Sequence, residues 1–228
     1  MSAVLATWLD AVRQGHVGPD EFADAVRGDD PRHLVTGLPE RAPVELHELP
    51  AALAGPISLA LPAPGDPVGL GGPGSFNLAA IEAGQAVVVG AIGMVPEEDA
   101  RTIVWRAHPA GRVPWVDERE TANELRTALA DVTRRLVDLD VAAWQPDIPD
   151  LLLNLRHRAP LPLPPGYDAR RVETAERAVL CLDILELARA GEGGAVSAYE
   201  MDRRRAALGD LDRAARRALV GACSSPTR

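Results

Sequence analysis

Apolar residues recur with a helical period at both ends of the chain and with a strand-like period in its middle. Leu5, Trp8, Leu9 and Val12 share one face of a helix over residues 2–14, with Ser2 placed to cap it and Gly15 to end it. A second short helix opens at Gly18-Pro19-Asp20 and turns Phe22, Ala25 and Val26 inward. Pro39, Pro43 and Pro50 cut residues 31–55 into short pieces, of which 44–49 alternates like an edge strand. Residues 57–61, 85–92 and 101–107 read as strands, and the consecutive Val87, Val88 and Val89 mark the second as buried. Gly93-Met94-Val95-Pro96-Glu97-Glu98-Asp99 reads as the hairpin loop joining the last two. A short helix over 76–83 precedes residues 85–92, with Ser75 as its expected N-cap and Gly84 as its C′ residue.

Beyond Asp117 the pattern is helical. Leu125, Leu129, Val132, Leu136 and Leu139 form a heptad-like seam that Ala122 extends upstream. A shorter helix carries Leu151, Leu152 and Leu155. Pro160-Leu161-Pro162-Leu163-Pro164-Pro165-Gly166 predicts a stiff, extended connector. The next helix spans 168–190 and is apolar on almost every side between 178 and 188, which predicts a central position. Ser197-Ala198-Tyr199-Glu200 has capping-box spacing ahead of a last helix that ends near Ala222. The expected fold is therefore α+β. A small, mostly antiparallel sheet of three or four strands carries N-terminal helices, and a multi-helix bundle follows. The composition divides it into an α+β segment, 1–113, and a helical segment, 114–228, either as two units or as one continuous domain.

Charge narrows the function classes. The net charge is −9 over 228 residues, which excludes a general binder of phosphate backbones and makes nucleic acid a weak candidate partner. All 24 basic residues are Arg. Total loss of Lys has no physical rationale at surface positions and points to codon pressure, which also enriches Ala, Gly and Pro. No stretch is apolar enough to span a membrane, and the N-terminus lacks the basic start of a signal peptide, so a cytoplasmic protein is expected. Cys181 and Cys223 form no CxxC pair. Cys181 reads as a small core residue. Residues 1–116 are acidic and 197–228 mildly basic, so these regions are expected to attract each other, within one chain or between two.

The most distinctive stretch is the Gly- and Pro-rich loop ending at Ser75. Gly69, Gly71 and Gly74 satisfy G-x-G-x-x-G between a strand and a helix, which would aim backbone N–H groups at an anion. Seven residues separate the strand from Gly69, Pro73 removes one N–H, and the helix that follows is short, all against a dinucleotide loop. A Walker motif is impossible without Lys. Three readings remain: a nucleotide or phosphate site, a rigid structural loop, or a small-ligand or peptide site over residues 65–77 with Asp66, Ser75 and Asn77 as polar contacts. On the later helices, Asp183 and Glu186 interrupt an apolar run, and Arg204 falls within the seam of Met201, Leu208 and Leu211. A buried ion pair from Arg204 to Asp183 or Glu186 would fix helix register. The five histidines stand apart and read as surface or loop residues. The four tryptophans read as core or seam anchors. No nucleophile elbow, metal-ligand spacing or cofactor motif is present.

The stretch Leu59-Ala-Leu-Pro-Ala-Pro-Gly-Asp-Pro-Val-Gly-Leu-Gly-Gly-Pro, then Phe76-Asn77 and Glu82-Ala-Gly-Gln-Ala-Val87, resembles uncharacterised proteins of actinobacteria. So does Gly194-Ala-Val-Ser-Ala-Tyr-Glu with the Arg- and Ala-rich helix after it. The resemblance implies a source but no activity and no functional residues. The expected function is a non-catalytic interaction or regulatory protein, homo-oligomeric through its helical half. The alternative is a small-molecule- or phosphate-binding protein or enzyme that uses the glycine loop.

Overall fold

The computed structural model describes residues 1–29, 32–99, 101–138, 159–190 and 198–225. Helix side chains are described up to residue 134, from 159 to 188 and from 205. Trp144, the helix expected around Leu151 and the cap at Ser197 lie outside these residues. The order is α1 (Ser2–Arg13), α2 (Pro19–Arg27), β1 (His33–Thr36), β2 (Val44–Glu45), a single 3-10 turn (Leu46–Glu48), α3 (Leu49–Ala52), β3 (Ile57–Ala60) and α4 (Gly74–Ala83). Next come β4 (Ala86–Val89), β5 (Ile92–Asp99), β6 (Thr102–Pro109), α5 (Glu118–Asp138), α6 (Ala169–Ala190) and α7 (Ala198–Cys223).

The fold is α+β, but its sheet is larger than the three or four antiparallel strands expected, and it is mixed. Six strands run in the order β2-β1-β6-β5-β4-β3, with β1 parallel to β6 and every other pair antiparallel. Two strands escaped the sequence reading. β1 has only four residues, too few to show alternation. β5 occupies the stretch expected to be a loop, because Pro96 and the acids after it look like breakers. Its neighbour β4 pairs only with Ile92, Gly93 and Met94, so from Val95 onward that side of β5 is an edge. An edge tolerates a proline, and Pro96 sits opposite Trp105 on the paired side. Next to it, Arg106 donates two hydrogen bonds of 2.7 Å to the Glu97 carboxylate, which hold that carboxyl below its ordinary range.

Two clusters of buried residues occupy the two faces of the sheet. One holds Val35, Ile57, Leu59, Val87, Val89, Met94 and Trp105 against α1 and the C-terminal helices. The other holds Ala60, Ala86, Val88 and Val95 under Phe76 and Ala80 of α4. His33 is a core residue, not a surface one: it is 2% exposed, and its Nδ1 accepts a 3.2 Å bond from Trp105 Nε1. Neither expected serine cap forms. Ser2 is already helical and donates its N–H to Gln85, and Pro73 is the N-cap of α4.

In the helical half, α7 packs along both α5 and α6. Leu125 and Val132 of the predicted seam are buried within the chain. α6 is not buried on every side, since Leu180 and Ile184 are exposed. The connector after residue 158 has no helix or strand up to residue 168 and includes turns at Leu161–Leu163 and Pro164–Tyr167, and Trp8 Nε1 donates to Pro162 O at 2.7 Å. The end of α7 and the residues beyond it reach the outer edge of β3. Ser225 N donates to Ile57 O, Leu59 N donates to Ser224 Oγ, and Arg216 Nη1 donates to Leu61 O. The outward backbone groups of that edge are thereby satisfied by the C-terminal half.

Candidate functional site

The glycine-rich loop is committed to the protein itself. Asp66 lies 2.8 Å from Arg216, which also binds Asp212 at 2.8 Å, so the acidic N-terminal region and the basic last helix attract within one chain. Asn77 Oδ1 accepts the N–H of Gly72, and Gly69 is pressed against the backbone of Leu59 and Ala60. Gly71 lies against the segment after β6, where a Cβ would stand 2.2 Å from Arg112 O. Gly111 meets it from the other side and donates to Gly72 O at 2.6 Å. Gly74 and Ser75 are exposed at the start of α4. The loop is a backbone clamp: without side chains at 71 and 111, two chain segments touch.

What the clamp holds is more informative than the clamp. Residues 110–116 cross the sheet as a strap from the end of β6 towards α5. Between this strap, the β4–β5 turn and the end of α7 lies a cleft of about 770 Å³. Its floor is Ser58 and Val88, on the face opposite α1. Gly90 and Ala91 form one wall. Gly90 adopts a positive φ of 59°, and a Cβ there would stand 2.4 Å from Ala54 O, so the turn is seated against its neighbours. Val220, Ser224 and Ser225 form the opposite wall, and the strap supplies the rim.

Trp115 is on that rim and 57% exposed. It was expected to anchor a core or seam, and it anchors neither. Among the described residues, Arg112 is the only ionisable side chain lining the cleft. Its guanidinium is exposed and enters no hydrogen bond or ion pair among the described residues. A cavity of this size, largely apolar with a few polar groups, suits a small ligand. The sequence signals were present: an aromatic and an Arg in the short Pro-bearing stretch between sheet and helices. Nothing local distinguished them from packing residues.

The remaining candidates do not converge on this cleft. Asp183 is half-buried and Glu186 is exposed on α6, and the Arg204 side chain lies outside those described. Arginines of α7 stand beside acids, Arg213 with Asp210 and Arg216 with Asp212. Both thiols are buried, and burial raises both pKa values, that of Cys223 to about 12. Among the described residues no three His, Cys, Asp or Glu side chains come together as a metal site.

Comparison with known families gives two adjoining matches. Residues 2–119 match the Rv1486c-like protein, N-terminal domain, and residues 119–220 match the Rv1486c-like protein, C-terminal domain. The chain belongs to the Rv1486c-like family. No curated protein and no solved structure matches it. The stretch at 59–73 that carried the resemblance lies inside the N-terminal match. In this Rv1486c-like chain the cleft takes its floor and rim from the N-terminal match, and Val220 on its far wall closes the C-terminal one. Among the described residues of the Rv1486c-like chain, no helix is long and apolar enough to cross a membrane.

Proposed function

We propose that this is a non-catalytic, cytoplasmic binding protein of regulatory type, and that it holds its ligand in the cleft under the strap. One observation carries the reading: Trp115, 57% exposed, stands over a concave, mainly apolar space of about 770 Å³. A large aromatic left in water beside such a space is what a small-molecule site requires before it is filled. In the alternative placing of the ligand, at residues 65–77, Asp66 is paired with Arg216 and Asn77 Oδ1 with the Gly72 N–H, which leaves Ser75 exposed as its remaining polar contact. What supports a non-catalytic reading is that, among the described residues, the lining offers serine hydroxyls and one Arg but no His, Cys or carboxylate to act as general base.

The test is a thermal-shift screen of small apolar and amphipathic compounds against the full chain. A ligand of the folded state raises Tm. The expected outcome is a hit whose shift disappears in Trp115→Ala. A hit that shifts the variant equally places the ligand elsewhere and defeats the reading.

A second reading is a homo-oligomer assembled through the helical half. It is favoured by Leu180 and Ile184, which form an exposed apolar pair one turn apart on α6. A native mass spectrum decides it. A dimer that Leu180→Glu converts to monomer supports this reading, and a monomeric wild type removes it.

A further inference from the structure

The binding reading leaves the chemistry of the ligand open, and any ligand class assigned to the cleft rests on that reading. The lining of the cleft narrows the choice. The floor and walls are dominated by Val88, Val113, Pro114 and Val220, which select an apolar body. Trp115 offers an exposed indole face, which favours a flat ring that can stack on it over a branched chain. Arg112 contributes the only charge of the lining, and it is positive and unengaged among the described residues. Its backbone is fixed, since Gly71 and Gly72 hold residues 111 and 112 against the loop. The guanidinium therefore extends from an anchored point three residues before Trp115, on the same short strap. A guanidinium suits a carboxylate because its N–H donors match the two oxygens. Among the described residues, no carboxylate side chain lines the cleft to compete for it.

We infer that the cleft binds a compact aromatic monocarboxylate, with its ring between Trp115 and the Val88 floor and its carboxylate on Arg112. A dianion or a phosphate ester is disfavoured, because among the described residues one Arg supplies the positive charge of the lining. A neutral ring compound would use the apolar floor and leave Arg112 idle.

The experiment uses isothermal titration calorimetry on the full chain with two probes, naphthylacetate and naphthylacetamide. They share a ring and differ by one charge. The acid is expected to bind about tenfold more tightly than the amide, the order of one charge-assisted contact. Arg112→Gln should abolish that difference while leaving the amide's affinity unchanged. Trp115→Ala should weaken both probes alike. Both side chains are exposed, so neither substitution disturbs a core. If acid and amide bind equally to wild type, the monoanion inference is wrong and the binding reading stands. If neither probe binds, or if Trp115→Ala leaves both affinities unchanged, the inference and the reading of the cleft fall together.

Discussion

At the scale of single residues, what decides the behaviour of this protein is contact between positions far apart in the chain. Gly71 looks like one glycine among several in a loop biased towards glycine, and its neighbour Arg112 stands some forty residues away. Gly71→Ala would drive a Cβ into backbone that has no rotamer to yield. The expected cost is about 1–3 kcal/mol, typical of overpacking, read as a lower urea midpoint. A phosphate-cradling loop would instead lose anion affinity and keep its stability, so this variant separates the two readings of the glycines. Trp115 was illegible for a related reason. Residue type predicts burial on average, but which tryptophan remains uncovered is a tertiary fact. Cys223 gives a pH prediction. Burial raises its thiol from an ordinary 9.0 to about 12. The folded state thus keeps a proton that the unfolded chain releases. The resulting stability is fully present below about pH 9 and is lost as pH rises through about 12. Burial of Tyr167 raises its phenol and acts in the same direction. Urea midpoints between pH 8 and 10.5 should fall for the wild type and fall less for Cys223→Ala; equal slopes would assign the loss elsewhere.

At the scale of elements, the long helices and the strands β3, β4 and β6 were legible in the sequence, and β1 and β5 were not. The amphipathic stripes of α1, α5 and α7 extend over three or more turns, long enough for a period to show. β1 is only four residues long, and β5 is disguised by Pro96, whose missing N–H costs no ladder bond on a side with no partner. The floor of the cleft was therefore legible, since Ser58 and Val88 both belonged to expected strands, while the wall at Gly90 was assigned to a strand interior. The ion cluster at Arg216 is an element-level joint, because it binds α7 to the loop after β3 through Asp66 and Leu61 O. Arg216 and Asp66 side chains are only 12% and 18% exposed. Arg216→Met should cost about 2–3 kcal/mol, somewhat below the value for a fully buried pair, because it strands two carboxylates. Chemical denaturation measures it, and Asp66→Asn in the same background should recover part of the loss. Additive effects of the two changes would mean that they do not share a contact.

At the scale of the molecule, the two family matches meet at residue 119, yet the main core runs through both. Leu5, Leu59 and Trp105 belong to the same buried cluster as Ala215 and Leu219. The two regions should therefore unfold in one transition by near- and far-ultraviolet circular dichroism, and residues 1–119 alone should not give a cooperative melt. A separate, reversible melt of that fragment would show that the composition shift near residue 113 marks two independent units. The edge of β3 joins the regions a second time, since its outward N–H and C=O groups are met by Ser224, Ser225 and Arg216. Removing residues 224–228 should leave a bare strand edge and raise static light scattering at micromolar concentration. Biosynthesis passes through that same bare state. All six strands are synthesised roughly a hundred residues before the groups that seal β3 are made. At typical translation rates that interval is on the order of 10 s, far longer than a hairpin needs to form. Throughout it the nascent sheet offers an open edge to every neighbouring chain on the polysome. Because the main core also needs the C-terminal helix, the order of these residues along the messenger favours closing the sheet late, after that helix is made.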